Sequence, residues 1–85
     1  MITSAQSRGA RGLLDWTQQD LADRAGVSIV TVRQLEAGLS QPRRATLDVI
    51  RRALEAGGVE FIDANGGGGP GVRLQRMGRS RKRKE

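Results

Sequence analysis

The sequence predicts a small, mainly α-helical domain of four short helices, followed by a β-hairpin and a basic tail. Three observations lead to this prediction. Helix start and stop signals recur at short intervals, such as Ser28 before an apolar periodic stretch and Gly38 directly after it. Residues 59–63 and 72–75 alternate between apolar and polar, as strands do. Most excess positive charge lies at the C-terminal end, and 85 residues suffice for one domain only.

The first helix is predicted from Ala5 or Gln6 to Asp15. Leu13 and Leu14 are expected to face the core. Residues 1–6 show little pattern and are expected to fray. Two glycines inside the helix weaken it by up to about 1 kcal/mol each relative to alanine.

The second helix has a stronger start signal. Thr17 is predicted as the N-cap, with Asp20 three residues later completing a capping box. Trp16 and Leu21 have the spacing of a hydrophobic staple around this cap. Gly26 is expected to end the helix in the left-handed conformation.

The third helix is predicted over residues 29–37, with Ser28 as its N-cap and Gly38 as its end. Val32 and Leu35 are its inward positions. Three β-branched residues occupy the first turn, although such residues are poor helix formers. Their presence there needs a reason beyond local helix propensity.

The fourth helix is predicted over residues 45–56, followed by two glycines. The two alternating segments after it form a hairpin joined by a glycine-rich loop. That loop lacks the following helix and lysine of a phosphate-binding loop. Because a lone two-stranded hairpin is marginal in water, it must pack on the helices or pair with a strand of another chain.

The composition argues against an enzyme. The chain has no cysteine and no histidine, which excludes disulfides, thiol nucleophiles, cysteine-based zinc sites and the Ser-His-Asp arrangement. We therefore expect no catalytic residue, no metal and no cofactor. Apolar runs are only two or three residues long, so neither a membrane span nor a signal peptide is expected.

The net charge of +6 is unevenly distributed. Residues 1–72 carry eight positive and eight negative side chains, whereas residues 73–85 carry seven positive and one negative. A terminal run of like charge is typical of a disordered segment that binds polyanions, and we expect disorder over residues 76–85. The alternative is a tail that serves solubility.

Residues 16–38 resemble the Cro/C1-type (XRE) helix-turn-helix family. The matching features are the Thr-Gln start, Leu-Ala, Gly-Val-Ser at the turn, Thr-Val in the next helix and Glu-x-Gly at its end. The resemblance extends over residues 6–56 and implies a lambda-repressor-like DNA-binding domain over residues 1–58. Family members usually add a fifth helix; here residues 59–75 take its place and are a candidate dimerisation element.

The resemblance also implies which residues contact duplex DNA. These residues are Gln18, Ser28, Ile29, Val30, Thr31, Arg33, Gln34, Arg43 and Arg44. A recognition helix at residues 29–37 would enter the major groove, where Arg33 can pair with guanine and Gln34 with adenine. Ile29 and Val30 would contact thymine methyl groups. The alternatives are that these two pack into the core or a dimer seam, and that Arg33 is solvated or paired within the protein.

Other matching positions have supporting roles. Gln18 would hold a phosphate through its backbone N–H, with its side chain as a second candidate donor; the alternative is a simple exposed first-turn residue. Arg43 and Arg44 would contact phosphates, unless they are simply solvated. Arg11 and Glu36 match a structural ion pair that links the first helix to the end of the third. In the tail, the expected phosphate contacts are Arg79, Arg81, Lys82, Arg83 and Lys84.

The predicted function is sequence-specific regulation of transcription on double-stranded DNA. Repression is favoured over activation, by a homodimer on a pseudo-palindromic site, in the cytoplasm on nucleoid DNA. One alternative is an antitoxin or adaptor that binds a protein partner and autoregulates through the same domain. RNA polymerase and a toxin are the candidate protein partners. A third reading is a nonspecific architectural or RNA-binding protein.

Overall fold

A computed structural model describes residues 1–75 as four helices followed by two strands. The elements are α1 (Ser4–Leu14), α2 (Gln18–Ala25), α3 (Ile29–Ala37), α4 (Arg44–Gly57), β1 (Val59–Ile62) and β2 (Gly71–Leu74). The prediction of a mainly helical domain with a hairpin is thus confirmed. The predicted disordered tail, residues 76–85, lies outside the described residues.

The helix-turn-helix unit forms through the local signals that the sequence carries. The Thr17 hydroxyl accepts from the Asp20 N–H at 2.9 Å, and the Asp20 carboxylate accepts from the Thr17 N–H at 2.9 Å. Gly26 then ends α2 with φ of 73°, a conformation that favours glycine. Ser28 caps α3 by accepting from the Thr31 N–H at 3.1 Å. Two short helices therefore meet across a tight turn.

The expectation that the N-terminus frays is wrong. Thr3 and Gln6 form a second capping box, in which the Thr3 hydroxyl accepts from the Gln6 N–H at 3.0 Å and Gln6 Oε1 accepts from the Thr3 N–H at 2.9 Å. Ile2 is buried against the core, with 4% of its surface exposed. This cap starts α1 at Ser4, earlier than predicted.

The inward orientation predicted for Leu13 is also wrong, whereas Leu14 packs against the core. Leu13 is 42% exposed. The buried series on α1 runs through Gln6, Ala10 and Leu14 at four-residue spacing, and a residue one position earlier is rotated by about 100°. With two adjacent leucines, only the packing decides which one faces inward.

Helix α4 is one residue longer at each end than predicted. Arg43 is its N-cap, without a side-chain capping bond, and Gly57 is its last residue. A Cβ atom at Gly57 would lie 2.8 Å from the Trp16 ring and 2.9 Å from a Leu14 methyl group. The absence of a side chain at Gly57 thus lets the loop between α1 and α2 pack against the end of α4.

The hairpin shares one core with the helices. Strands β1 and β2 pair antiparallel, with Val59 opposite Leu74 and Phe61 opposite Val72, and each differs by one residue at one end or both from its predicted range. Val59 is fully buried, and Phe61 and Val72 pack against the same cluster. The cluster comprises Ile2, Ala10, Leu21, Ala22, Val32, Leu35, Leu47, Ile50, Leu54 and Val59.

The buried Gln6 side chain ties the hairpin to α1. Its Nε2 donates to the backbone oxygens of Gly71 at 3.0 Å and Ile62 at 3.4 Å. At Gly9, a Cβ atom would lie 3.2 Å from a Val72 methyl group, so α1 and β2 approach closely there. The hairpin therefore meets its need for a partner surface by packing on the helices of its own chain.

Candidate nucleic-acid interface

Helix α3 has one buried face and one exposed face. Val32 and Leu35 belong to the core, and Glu36 is 4% exposed beside them. The opposite face carries Val30, which is 52% exposed, together with Arg33 and Gln34. Because its inner side anchors the helix, the outer side is presented to solvent in a fixed orientation.

The exposed face is arranged around a short apolar line. Val30, Arg33, Gln34 and Ala37 lie at positions i, i+3, i+4 and i+7, and all four are exposed. On a helical projection, Val30 and Ala37 run along the middle, with Arg33 on one side and Gln34 on the other. Among residues 1–75, no carboxylate lies within ion-pair distance of Arg33. The face thus presents hydrogen-bond donors beside methyl groups.

The first turn of α3 separates the residues grouped by the sequence prediction. Ile29 is half-buried and packs against the core, whereas Val30 faces solvent. Ser28 is exposed, and its hydroxyl lies 3.0 Å from that of the half-buried Thr31. Ile29 and Val30 were both predicted to contact thymine methyl groups. Of the two, Val30 is exposed to solvent, whereas Ile29 mainly packs α3 against the core.

Arg11 and Glu36 come together as predicted from the resemblance. Arg11 Nη2 lies 2.7 Å from Glu36 Oε1, and Arg11 Nε donates to both carboxylate oxygens. Ser7 adds a bond to Oε2 at 2.6 Å. Arg8 donates to the Glu36 backbone oxygen. The carboxylate thereby links α1 to the C-terminal end of α3.

The pKa of Glu36 reflects these contacts. Burial acts to raise it, but the hydrogen bonds from Arg11, Ser7 and Gln18 outweigh burial and hold the pKa below its usual value. The hydrogen bonds with the Glu36 carboxylate raise the pKa of Arg11. Both groups are therefore charged near neutral pH, and the pair is part of the scaffold.

Gln18 belongs to the same network. Its Nε2 donates to Glu36 Oε1 at 3.2 Å, and its side chain is half-buried. The Thr17 hydroxyl serves the N–H of Asp20, so the backbone N–H of Gln18 at the first position of α2 remains free of an intrahelical acceptor. The Gln18 side chain, the second candidate donor for a phosphate, is thus bonded to Glu36 inside the protein, and the backbone N–H is the donor that remains.

Arg43 and Arg44 stand at the start of α4, after the loop that follows α3. Both are exposed, and no carboxylate of residues 1–75 pairs with them. No hydrogen bond joins them to the exposed face of α3 within that part of the chain. The expected tail contacts, Arg79, Arg81, Lys82, Arg83 and Lys84, lie outside the described residues.

Sequence reasoning missed two groups of residues. Ser7 and Arg8 join the Glu36 network, and the four-residue spacing of Ser7 and Arg11 was the signal for a shared face. Ala37 completes the exposed face of α3, which its seven-residue spacing from Val30 could have shown.

Other candidate sites are sparse in the described chain. Within residues 1–75, the acidic side chains form no group that could hold a metal ion. A groove of about 340 Å³ lies between the start of α1 and the loop after α3, lined by uncharged residues such as Ile2 and Leu39. None of the four described helices is long and apolar enough to cross a membrane.

Comparison with known protein families gives a match. A family model described as helix-turn-helix (HTH_3) matches residues 8–61, more than half of the chain. This match spans most of α1, all of α2, α3 and α4, and the first part of β1. No curated protein matches the sequence significantly.

Proposed function

The chain belongs to the Cro/C1-type helix-turn-helix family of DNA-binding regulators, and we propose that it reads a specific duplex sequence with the exposed face of α3. It acts as a binding protein and not as an enzyme. One observation carries this proposal: Arg33 and Gln34 flank Val30 on a solvent-facing surface, while the other side of α3 is fixed in the core.

The chemistry of this face suits the major groove. An arginine can donate two hydrogen bonds to guanine, and a glutamine can pair with the donor and acceptor of adenine. Val30 lies between Arg33 and Gln34 on the helical projection, at the height of the first turn, and can contact a thymine methyl group. We infer a half-site in which guanine and an A·T pair flank a thymine methyl.

Phosphate contacts would orient α3 in the groove. The free backbone N–H groups at the start of α2 suit a phosphate oxygen, because the helix dipole is positive there. Arg43 and Arg44 are free of internal ion pairs within residues 1–75 and can serve the same purpose. Ser28 and Thr31 have hydroxyl groups at the leading end of α3.

The test begins with selection of bound duplexes from a random pool and, in cells, genome-wide recovery of bound DNA. Arg33→Ala and Gln34→Ala should each weaken binding to the recovered site by about 1–3 kcal/mol and binding to a scrambled duplex much less. Arg52→Ala is the matched control for Arg33→Ala, because Arg52 is exposed on α4 and the substitution removes the same positive charge. Fluorescence anisotropy at fixed salt measures all of these affinities.

Two results would contradict the proposal. The first is a selection that enriches no sequence at all, which would leave only nonspecific binding. The second is an equal loss of affinity for Arg33→Ala and Arg52→Ala on both duplexes, which would show that α3 contributes charge without reading bases.

We also propose that the protein binds as a homodimer on a pseudo-palindrome, because one recognition helix covers only half of an operator. The hairpin offers a strand edge for this. The Gln75 N–H donates to the Gly58 oxygen at 2.7 Å, which makes Val59 and Leu74 a non-hydrogen-bonded pair. The buried Val59 already accepts from Gln75 Nε2 at 3.4 Å, so the candidate edge is that of Leu74, whose backbone groups point away from β1. A second copy could pair with such an edge.

Leu74→Pro tests the strand-mediated dimer. It removes an outward N–H donor without removing a bond of the hairpin, whereas Leu74→Ala keeps that donor. Sedimentation of the full chain should show a lower mass for the proline variant only. Deleting the hairpin is a poorer test because Val59 is part of the core. Equal masses for all three proteins would place the interface elsewhere.

The basic tail should add affinity that depends on salt. Residues 76–85 carry six positive side chains, and each phosphate contact contributes roughly 0.9 to the slope of log affinity against log salt. Deletion of these residues should lower that slope by several units. A slope that does not change would exclude tail contacts with DNA.

Repression is the regulatory outcome that we propose, since occupying a promoter excludes another protein from the same groove without any further contact. A reporter driven by the recovered site should be expressed less when the protein is present. The Arg33→Ala variant should restore expression. Increased expression from wild-type protein would instead show activation.

A further inference from the structure

Asn65 lies in the exposed loop between β1 and β2 and is the only asparagine of the chain. Its backbone N–H and oxygen pair with those of Gly68 at 2.9 and 3.2 Å. Its side-chain Oδ1 accepts from the Gly67 N–H at 2.9 Å. This last bond holds the side-chain amide against the backbone that follows Asn65.

The next residue, Gly66, leaves the approach to this amide open. A Cβ atom at Gly66 would meet nothing within 4 Å, and glycine has none. Within residues 1–75, the Gly66 N–H donates to no acceptor. The nitrogen of Gly66 is thus unhindered and free of hydrogen bonds, and it stands next to a carbonyl that a neighbouring N–H polarises.

We propose that Asn65 is a site of spontaneous deamidation. The Gly66 nitrogen loses its proton to base and attacks Asn65 Cγ, forming a C–N bond and a five-membered ring. The Asn65 side-chain nitrogen takes up a proton and leaves as ammonia. Water then opens the succinimide at either carbonyl, giving aspartate or isoaspartate. The net reaction consumes one water, releases one ammonia and adds one negative charge.

The bound Oδ1 favours this reaction in two ways. The Gly67 N–H stabilises the negative charge that develops on Oδ1 during attack. It also restricts rotation of the side chain, so less freedom is lost when the ring forms. The altered bond lies outside the ladder of β1 and β2, so the modified protein keeps its hairpin.

The experiment ages the full chain in mildly alkaline buffer, in native form and unfolded in urea. Cation exchange separates the charge-shifted product, and peptide mass spectrometry with isoaspartate methyltransferase labelling locates it. We expect the native chain to form product at Asn65 at least as fast as the unfolded chain. A native chain that forms less product would show that the loop protects Asn65, which would overturn the proposal.

Two variants separate the contributions of the loop. Gly66→Val should lose most of the product because a branched side chain blocks the attacking nitrogen. Gly67→Pro removes the N–H donor to Oδ1 and should form product more slowly than wild type, with far-UV circular dichroism showing that the fold is kept. If Gly67→Pro forms product as fast as wild type or faster, the activating bond is excluded.

Discussion

The polar side chains on the two faces of α3 differ in whether the protein itself supplies their hydrogen-bond partners. On the inner face, the Glu36 carboxylate is bound by Arg11, Ser7 and Gln18, and within residues 1–75 no buried side-chain polar atom lacks a partner. On the outer face, Arg33 and Gln34 are exposed. Charge on this helix therefore does not by itself indicate binding. What distinguishes a scaffold residue from a candidate contact is whether the protein already supplies its partner.

The largest expected effect breaks the inner face. Glu36→Ala leaves Arg11 without its carboxylate partner and should destabilise the fold by about 3 kcal/mol or more. That is a large fraction of the stability of a small domain. Urea unfolding followed by Trp16 fluorescence measures it. Glu60→Ala is the control, since the Glu60–Arg73 pair is exposed on the hairpin and its loss should change little.

Lowering the pH weakens the Glu36 network without a mutation. Because the pKa of Glu36 is lowered in the folded state, its contribution is complete above the ordinary glutamate value, 4.5. That contribution is lost progressively as the pH falls through the lower folded-state value. The Thr17 backbone and side-chain hydrogen bonds also lower the pKa of Asp20, which adds a loss of the same sign.

Unfolding free energy measured across the acid range should therefore fall less steeply for Glu36→Gln than for wild type. The residual slope would come from Asp20 and Glu60, whose hydrogen bonds with Thr17 and Arg73 also lower their pKa values. Identical slopes for the variant and wild type would mean that Glu36 titrates alike in folded and unfolded chains.

The smallest expected effects are those of substituting Ile29 and Val30, two adjacent residues with different roles. Ile29→Ala should lower stability by about 1–2 kcal/mol, because Ile29 is half-buried against the core. Val30→Ala should leave stability unchanged and weaken binding to the recovered DNA site by about 1 kcal/mol. Replacing the contacted thymine with uracil removes the methyl group. This replacement should weaken DNA binding by the wild-type protein and leave DNA binding by the Val30→Ala variant unchanged. Equal responses of the two proteins to uracil would remove Val30 from base reading.

Local signals explain why much of this fold was predictable. The Thr17–Asp20 box, the Ser28 cap and Gly38 act within a few residues, so the ends of α2 and α3 follow from the sequence alone. The Thr3–Gln6 box is equally local, and its Thr-x-x-Gln spacing is a start signal for α1 that the prediction did not include. Neighbouring apolar pairs behave differently. For Leu13 and Leu14, or Ile29 and Val30, periodicity permits either residue to face the core.

The sequence by itself determined the helix-turn-helix unit and its family. It also determined the balanced charge of residues 1–72 and the positive charge of residues 73–85. Only the tertiary structure decided which polar groups are satisfied inside the protein. Arg11 and Glu36 are far apart in the chain, and Gln6 reaches strand residues that follow much later. Such partners meet only when helices and hairpin pack together. Burial and hydrogen bonding are properties of that packed arrangement, and no local pattern encodes them.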